Sequence, residues 1–534
     1  MRLSKTDFLI FRECAHNAWV KLHRPEVYRA HPPSEFDQSL MEAGNAVDVL
    51  ARDLFPDGML IARDDAAATA ALLADRYRVL YQPVFETDQF TTACDILVWD
   101  AAAGRYDLYE VKASSSESEN RARDEAYTYD LAFQSHVLRA NGVPLGRHIL
   151  VRLDSSYIRG ADLDNRALFH LNDRTEVVAA LGEVIAHEMD TAHDLLSRPT
   201  PLPAPCTCMT KGRSAHCTPF AFTNPNVPAY AVHDIARIGT SKKKLAELVD
   251  RGILDIRDVP SDFELSETQQ NQVRAAKTGR TWIDDDAIAD FLATLAYPLA
   301  FLDYETFPAA IPRFPGYGPF HHIPFQYSLD VIRGPDAGVE YFEFLQLGPT
   351  CPDVSLLDAL RRDMPATGSV ITWNRTFETG INDRLGVRNP SAAPFLAALN
   401  ARVVDLMDVF SDQAYVHAGF RGRTSIKAIL PVLVPALSYT ALSIQEGATA
   451  TARWNEIATG AVSGDEARRI ADDLLAYCAL DTRAMVEIWR VLEGEVAMAR
   501  KWGDSFYSAF PQRLAFSNTR LSPELALDQF PNSE

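Results

Sequence analysis

An α/β chain in two unlike halves, joined by a helical connector, is what the sequence predicts, and three observations predict it. The apolar run Leu299-Ala300-Phe301-Leu302 leads into Asp303-Tyr304-Glu305-Thr306-Phe307 and reads as a buried strand. Residues 466–489 place Ile470, Leu474, Cys478, Met485 and Ile488 at helical spacing, which predicts a long amphipathic helix. Residues 91–99 read as a strand, and residues 106–112, after a turn near Gly104, as its hairpin partner. At 534 residues the chain exceeds one ordinary core, so a first unit over 1–225, a connector over 226–295, a second unit over 296–502 and a polar tail over 503–534 are expected.

A hydrophobic share of 47% with 23% charged residues excludes a largely disordered chain. No apolar run is long enough to span a bilayer, and Met1-Arg2-Leu3-Ser4-Lys5 leads into no signal-type core, so a cytoplasmic protein without membrane contact is expected. The net charge of −20 opposes indiscriminate binding to polyanions. Phosphate contacts would have to come from local patches, for which Lys242-Lys243-Lys244 and Arg421-Gly422-Arg423 with Lys427 are the candidates. No G-x-x-x-x-G-K-[ST] loop is present, so strand separation would need a separate helicase as partner.

In a strand, side chains two apart share a face, so Asp303 and Glu305 project together. Adjacent anions repel unless a cation lies between them, and hard carboxylates suit Mg or Mn. On the late helix, Tyr477 and Asp481 stand one turn apart along the edge of the apolar stripe. A carboxylate there needs a partner, and the Asp303/Glu305 strand could supply it to Asp481 through a shared ion. Between these elements lie Asn374-Arg375-Thr376-Phe377-Glu378 and Val403-Val404-Asp405. The ordered set resembles the DEDD-type exonucleases of the ribonuclease-H-like fold, tyrosine subclass. The resemblance implies Asp303, Glu305, Glu378 and Asp481 as ligands of two metal ions, with Tyr477 orienting the attacking water. That family's second motif usually ends in Asp, whereas this chain has Glu378, which leaves Asp405 as the rival fourth acid unless it only caps locally.

In the first half, Glu110 and Lys112 share a strand face and Asp95 sits across from them. Acid, then acid-x-Lys, can hold Mg while the ammonium steadies developing negative charge, although the same pattern serves as a plain cross-strand ion pair. Together with Asp48 on an amphipathic helix and Gln134 on the helix that follows, the set resembles the RecB-like branch of PD-(D/E)XK nucleases. The resemblance implies Asp95 and Glu110 as metal ligands, Lys112 as the catalytic lysine, Gln134 as a positioning residue, and Asp48 as a ligand where the family commonly has His.

Residues 3–22 read as one helical stretch carrying Cys14, and Cys206, Cys208 and Cys217 crowd together after a proline-rich approach. With Cys14 as the fourth thiol they make a site for zinc or a 4Fe-4S cluster. One cysteine before the nuclease-like core and three after it resemble the iron-sulfur nucleases of the CRISPR-adaptation and AddB-like kinds, which implies an iron-sulfur cluster. Zinc, or His216 as a substitute ligand, remains the alternative. The other three cysteines, Cys94, Cys351 and Cys478, read as small buried residues.

The whole order resembles an uncharacterised bacterial family that joins an iron-sulfur RecB-like PD-(D/E)XK nuclease domain to a ribonuclease-H-like exonuclease domain. A metal-dependent DNA exonuclease acting through the second half follows from that resemblance, with a second nuclease or a DNA-loading site in the first. RNA as substrate, and a non-cleaving nucleic-acid-binding repair scaffold, are the alternatives.

Overall fold

The computed structural model describes residues 1–63, 65–116, 121–202 and 205–509, and the remainder of the expected tail, 510–534, lies outside the described residues. The first half is built on a six-stranded mixed sheet. Its strands β1 (Met59–Leu60), β2 (Val79–Tyr81), β3 (Ile96–Asp100), β4 (Arg105–Ser115), β5 (Leu145–Leu153) and β6 (Phe169–Asp173) lie side by side in chain order. β3 and β4 are antiparallel, β4 and β5 parallel, with helix α4 (Arg121–Ala140) as the crossover. Period two splits β4 between two cores. Tyr106 and Leu108 pack under Leu131, Phe133 and Val137 of α4. Tyr109 and Val111 face Val47 and Ala51 of α3 (Glu35–Ala51).

The single helix expected over 3–22 is two, α1 (Lys5–Glu13) and α2 (Ala15–His23), broken by Cys14 in extended backbone. The break turns the Cys14 side chain out of both helices and toward Cys206, 3.4 Å away between sulfurs. The strand expected over 91–99 is also two. Phe90–Ala93 belongs to a separate three-stranded sheet, and β3 belongs to the six-stranded one. The chain crosses between sheets at Cys94-Asp95, opposite Gln82 with its positive φ of 53° and Pro83, so both strand pairs bend at one level. That bend frees the Asp95 side chain to accept the Val111 N–H at 2.7 Å.

The connector is helical as expected. α6 (Lys242–Asp250) ends before Gly252 at φ 74°, and α7 (Glu267–Thr278) is capped by Ser266. Val232, Leu245, Leu248, Ile256 and Val273 give this segment a small core of its own.

A five-stranded sheet carries the second half. β7 (Leu299–Pro308) is central, flanked on one side by antiparallel β8 (His322–Ile332) and β9 (Val339–Leu345), and on the other by parallel β10 (Val370–Thr372) and β11 (Val403–Asp405). Gly368, at φ 87°, lets β10 close against the start of β7, because a Cβ there would collide with the Pro298 carbonyl. Leu299 and Phe301 face the late helix α11 (Gly464–Ala509), which buries Leu474, Met485, Ile488 and Trp489 on them. Ala300, Leu302 and Tyr304 face the other way, onto Ile381 and Leu385 of α8 (Arg375–Arg388). The helix is longer than expected and runs past 502 to Ala509.

The halves touch directly. After β7 the chain inserts Ala310, Ile311 and Phe320 into the outer core of the first half, and Arg159 donates to the Pro312 carbonyl at 2.7 Å and accepts the Gly316 N–H at 2.8 Å through its own carbonyl.

Candidate functional site

Because Asp303 and Glu305 continue the face of β7 that packs on α11, they meet Asp481 across one packing layer. One carboxylate oxygen from each of Asp303, Glu305 and Asp481 lies within 4.8 Å of the others. The setting is nearly dry, with Glu305 9% and Asp481 7% exposed. Burial, then the charge of Asp481, pushes the Asp303 carboxyl well above its ordinary range. Burial, then Asp303 and Asp481, does the same to Glu305. Burial pushes Asp481 up to about 6, opposed by the hydroxyl that Tyr439 donates to its Oδ1. Three carboxyl groups this close hold protons until a cation replaces them.

Glu378 stands one turn into α8, buried at 3% exposure, and its Oε2 has no hydrogen-bond partner among the described residues. Burial, then Asp303 and Glu305, raises its carboxyl too, so it belongs electrostatically to the same group although it lies outside the tight triad. Its rival Asp405 is otherwise engaged. It accepts the Arg375 N–H at 2.8 Å and the Met407 N–H at 3.0 Å, tying the start of α8 to the end of β11. Of the two, Glu378 is the acid with an oxygen left to bind.

Tyr477 is buried beside Asp481, and its hydroxyl oxygen accepts from Lys427 Nζ at 3.0 Å. Lys427, on helix α9 (Ile426–Leu433), also donates to the Gln445 carbonyl at 2.7 Å and lies over the rings of Tyr439 and Tyr477, 5.2 and 5.0 Å from their centroids. From sequence Lys427 is read only as part of a basic patch for phosphate, not as a neighbour of Tyr477, and Tyr439 is not assigned at all. A lysine beside Ile426, Ile429 and Leu430 on an amphipathic helix is a weak signal for the first, and nothing local marks the second. Cys478 is buried as expected, but its thiol lies 3.7 Å from Asp303 Oδ2, in contact with the acid group. Cys94 is buried, and Cys351 only half-buried.

In the first half, the structure brings Glu110, Lys112 and Gln134 together. Lys112 Nζ donates to Glu110 Oε1 at 2.5 Å and Asp130 Oδ2 at 2.6 Å. Gln134 Nε2 donates to Glu110 Oε2 and to Asp130 Oδ1, both at 2.7 Å. Lys5 closes the cluster, 2.9 Å from Glu110 Oε1 and 3.0 Å from Asp130 Oδ1. Burial pulls the Lys5 ammonium down, but Asp130, Glu110 and Asp95 together outweigh it and hold it well above its ordinary value. The same balance raises Lys112. Lys5 and Asp130 are absent from the sequence-based set. Asp95 is beside this cluster, raised by burial, with one oxygen on the Val111 N–H. Asp48 is farther out, paired with Arg52 at 2.6 Å and reached by Gln82. Among the described residues, Asp48, Asp95 and Glu110 do not form a close carboxylate group as the second-half acids do.

Cys14, Cys206, Cys208 and Cys217 do come together, their sulfurs within 4.8 Å of one another. The quartet can hold a metal. Hydrogen bonds from Cys206, Cys208 and Cys217 lower the Cys14 thiol far below its usual range, while Cys217, flanked by the other three, is held far above it. His216 is turned elsewhere, stacked on Phe220 with its Nε2 at 3.0 Å from the Lys211 carbonyl, so it is not part of the quartet.

A family model described as Domain of unknown function (DUF2779) matches residues 300–425. That segment is similar to a family whose description assigns no activity, and it holds Asp303, Glu305, Glu378 and Asp405 but ends before Lys427, Tyr439, Tyr477 and Asp481. No curated protein and no solved structure matches the chain. Among the described residues, no helix is long and apolar enough to cross a membrane.

Proposed function

We propose that this protein is a divalent-metal-dependent nuclease, a DNA exonuclease hydrolysing phosphodiester bonds at the second half. The observation that carries the reading is the convergence of Asp303, Glu305 and Asp481 within 4.8 Å, from a central strand and a helix far apart in sequence. Glu378 beside them, with an oxygen unpartnered in a buried setting, fits a cation-binding set of four acids. A central strand continued on one side by an antiparallel meander through β8 and β9, and on the other by the parallel strands β10 and β11, also accords with the ribonuclease-H-like resemblance.

Asp303, Glu305, Glu378 and Asp481 would hold Mg or Mn, which when bound supplies an activated water and charge neutralisation at the phosphate. The chain does the rest. The packed strand and helices leave Glu305, Glu378 and Asp481 nearly buried, so each charge interaction acts in a low-dielectric space. Tyr477, its oxygen already accepting from Lys427, keeps a lone pair and its proton for the attacking water.

The first half would supply a second nuclease site or a DNA-loading site. Lys5 and Lys112 pair with Glu110 and Asp130, and Gln134 takes the second Glu110 oxygen. The thiol quartet would hold zinc or a 4Fe-4S cluster, clamping the α1–α2 break to the segment around Cys206.

The test is end-labelled single- and double-stranded DNA and RNA, incubated with Mg or Mn or with chelator, using protein purified without oxygen. Stepwise shortening of DNA that needs the metal, vanishes in Asp303→Ala and persists in Lys112→Ala is the expected result. Cleavage that persists in Asp303→Ala refutes the site. Shortening of RNA alone transfers the activity to the RNA reading, and tight binding without cleavage favours the scaffold.

A further inference from the structure

The acid group lies in a protein of net charge −20, and among the described residues Lys427 is a cation close to it. Its ammonium is held from three directions: by the Gln445 carbonyl at 2.7 Å, by the Tyr477 hydroxyl oxygen at 3.0 Å, and by the faces of the Tyr439 and Tyr477 rings. A lysine over two aromatic rings is fixed by their quadrupoles as well as by its hydrogen bonds. Its charge acts on Asp303, Glu305 and Asp481 alike. The two tyrosines it touches are the ones that reach the acids: Tyr439 donates to Asp481, and Tyr477 shares with Glu305 the small space in front of Gly447. A Cβ on Gly447 would lie 3.8 Å from Tyr477 Oη and 3.9 Å from Glu305 Oε2, so both oxygens open onto the same gap.

We propose that Lys427 is a positioning residue of this site, which fixes the polarity of the Tyr477 hydroxyl. The inference rests on the nuclease reading above. A phenol oxygen has two lone pairs and one proton. With one lone pair committed to the ammonium, the proton turns toward the gap shared with Glu305, where a water or a substrate oxygen would sit. The same ammonium offsets part of the repulsion among the carboxylates. It also opposes the entry of a second positive charge. Lys427 therefore trades metal affinity for a prepared hydroxyl.

These two effects have opposite signs, which separates positioning from a merely structural role. Full-length wild type, Lys427→Met, Lys427→Arg and Asp303→Ala would be compared by Mn titration, followed by electron paramagnetic resonance, and by steady-state DNA cleavage. Lys427→Met is expected to lower kcat about 10- to 100-fold, the range for residues that orient a first layer of ligands, with KM little changed. Its Mn affinity is expected to stay equal or tighten, since a like charge has been removed. Lys427→Arg, which keeps charge and donor, recovers most of kcat. Unchanged turnover in Lys427→Met overturns the inference. So does Mn affinity that falls in step with turnover, the mark of a disordered site. Asp303→Ala that binds Mn as well as wild type, or a wild type that neither binds Mn nor cleaves, defeats the acid-site reading itself and the inference with it. Loss in Asp303→Ala beside an unaffected Lys427→Met defeats the inference alone.

Discussion

Replacing Asp481 by Asn removes a charge that the metal-free fold resists and keeps the oxygen that accepts from Tyr439. The native carboxyl is pushed from 3.8 to about 6, mainly by burial. A shift of that size is on the order of 3 kcal/mol. The native state holds this proton more tightly than the unfolded chain does. The stabilising contribution is therefore complete below about pH 4, the unfolded value, and is lost as pH rises through about 6. Asp303 and Glu305, raised well above their ordinary range, add to it in the same direction. In chelator at pH 8, Asp481→Asn should raise the unfolding temperature by roughly 5–10 °C, using about 2–4 °C per kcal/mol for a unit of this size. At pH 5 the gain should shrink. Adding Mg or Mn at pH 8 should stabilise wild type more than the variant, because binding to the native state alone shifts the unfolding equilibrium. Thermal unfolding followed by circular dichroism at the two pH values, with and without metal, measures all of this. A variant less stable than wild type at pH 8 in chelator, or one that gains as much from metal, would refute the reasoning.

Cys14→Ser should cut bound zinc or iron, measured by elemental analysis. An absorption band near about 400 nm in the wild type, lost in the variant, would mark an iron-sulfur cluster rather than zinc. Lys5→Met leaves Glu110 and Asp130 with one ammonium between them, and breaking a buried ion pair in this way should destabilise the first half by about 3–5 kcal/mol in urea unfolding. The double variant Lys5→Met/Glu110→Gln should recover part of that loss. Trp454, fully buried, stacks on Phe325 at 4.5 Å and donates to the Gln346 carbonyl at 2.7 Å. Trp454→Ala should cost about 3–5 kcal/mol in the same assay. Because Trp454 belongs to the helix that begins at Gly447, beside Glu305 and Tyr477, Mn binding should weaken as well.

Much of the candidate site is legible in the sequence because its signals are local and periodic. Period two pairs Asp303 with Glu305 and Glu110 with Lys112. The helical period sets Tyr477 and Asp481 one turn apart beside an apolar stripe, and all five residues of that stripe are buried. The crowding of Cys206, Cys208 and Cys217 marks a thiol site with one ligand missing. These patterns depend on backbone geometry alone, which every residue shares. The breaks in regular structure were not visible in this way. Nothing within residues 3–22 says that Cys14 leaves the helix, since what draws it out is Cys206, 192 positions away.

Only the tertiary structure chose among residues of equal chemical promise. Asp405 and Glu378 both follow apolar segments, but two backbone N–H groups occupy Asp405 while Glu378 keeps an oxygen unpartnered. Lys5 stands 105 positions from Glu110 and Lys427 50 from Tyr477, and both reach their partners across packed elements. By itself the sequence determined which faces are apolar and which side chains share them, because strand and helix geometry act over a few residues. Which charges meet was decided by how those faces stack. A buried ion needs a partner from whatever element packs opposite, and no spacing along the chain records which element that is.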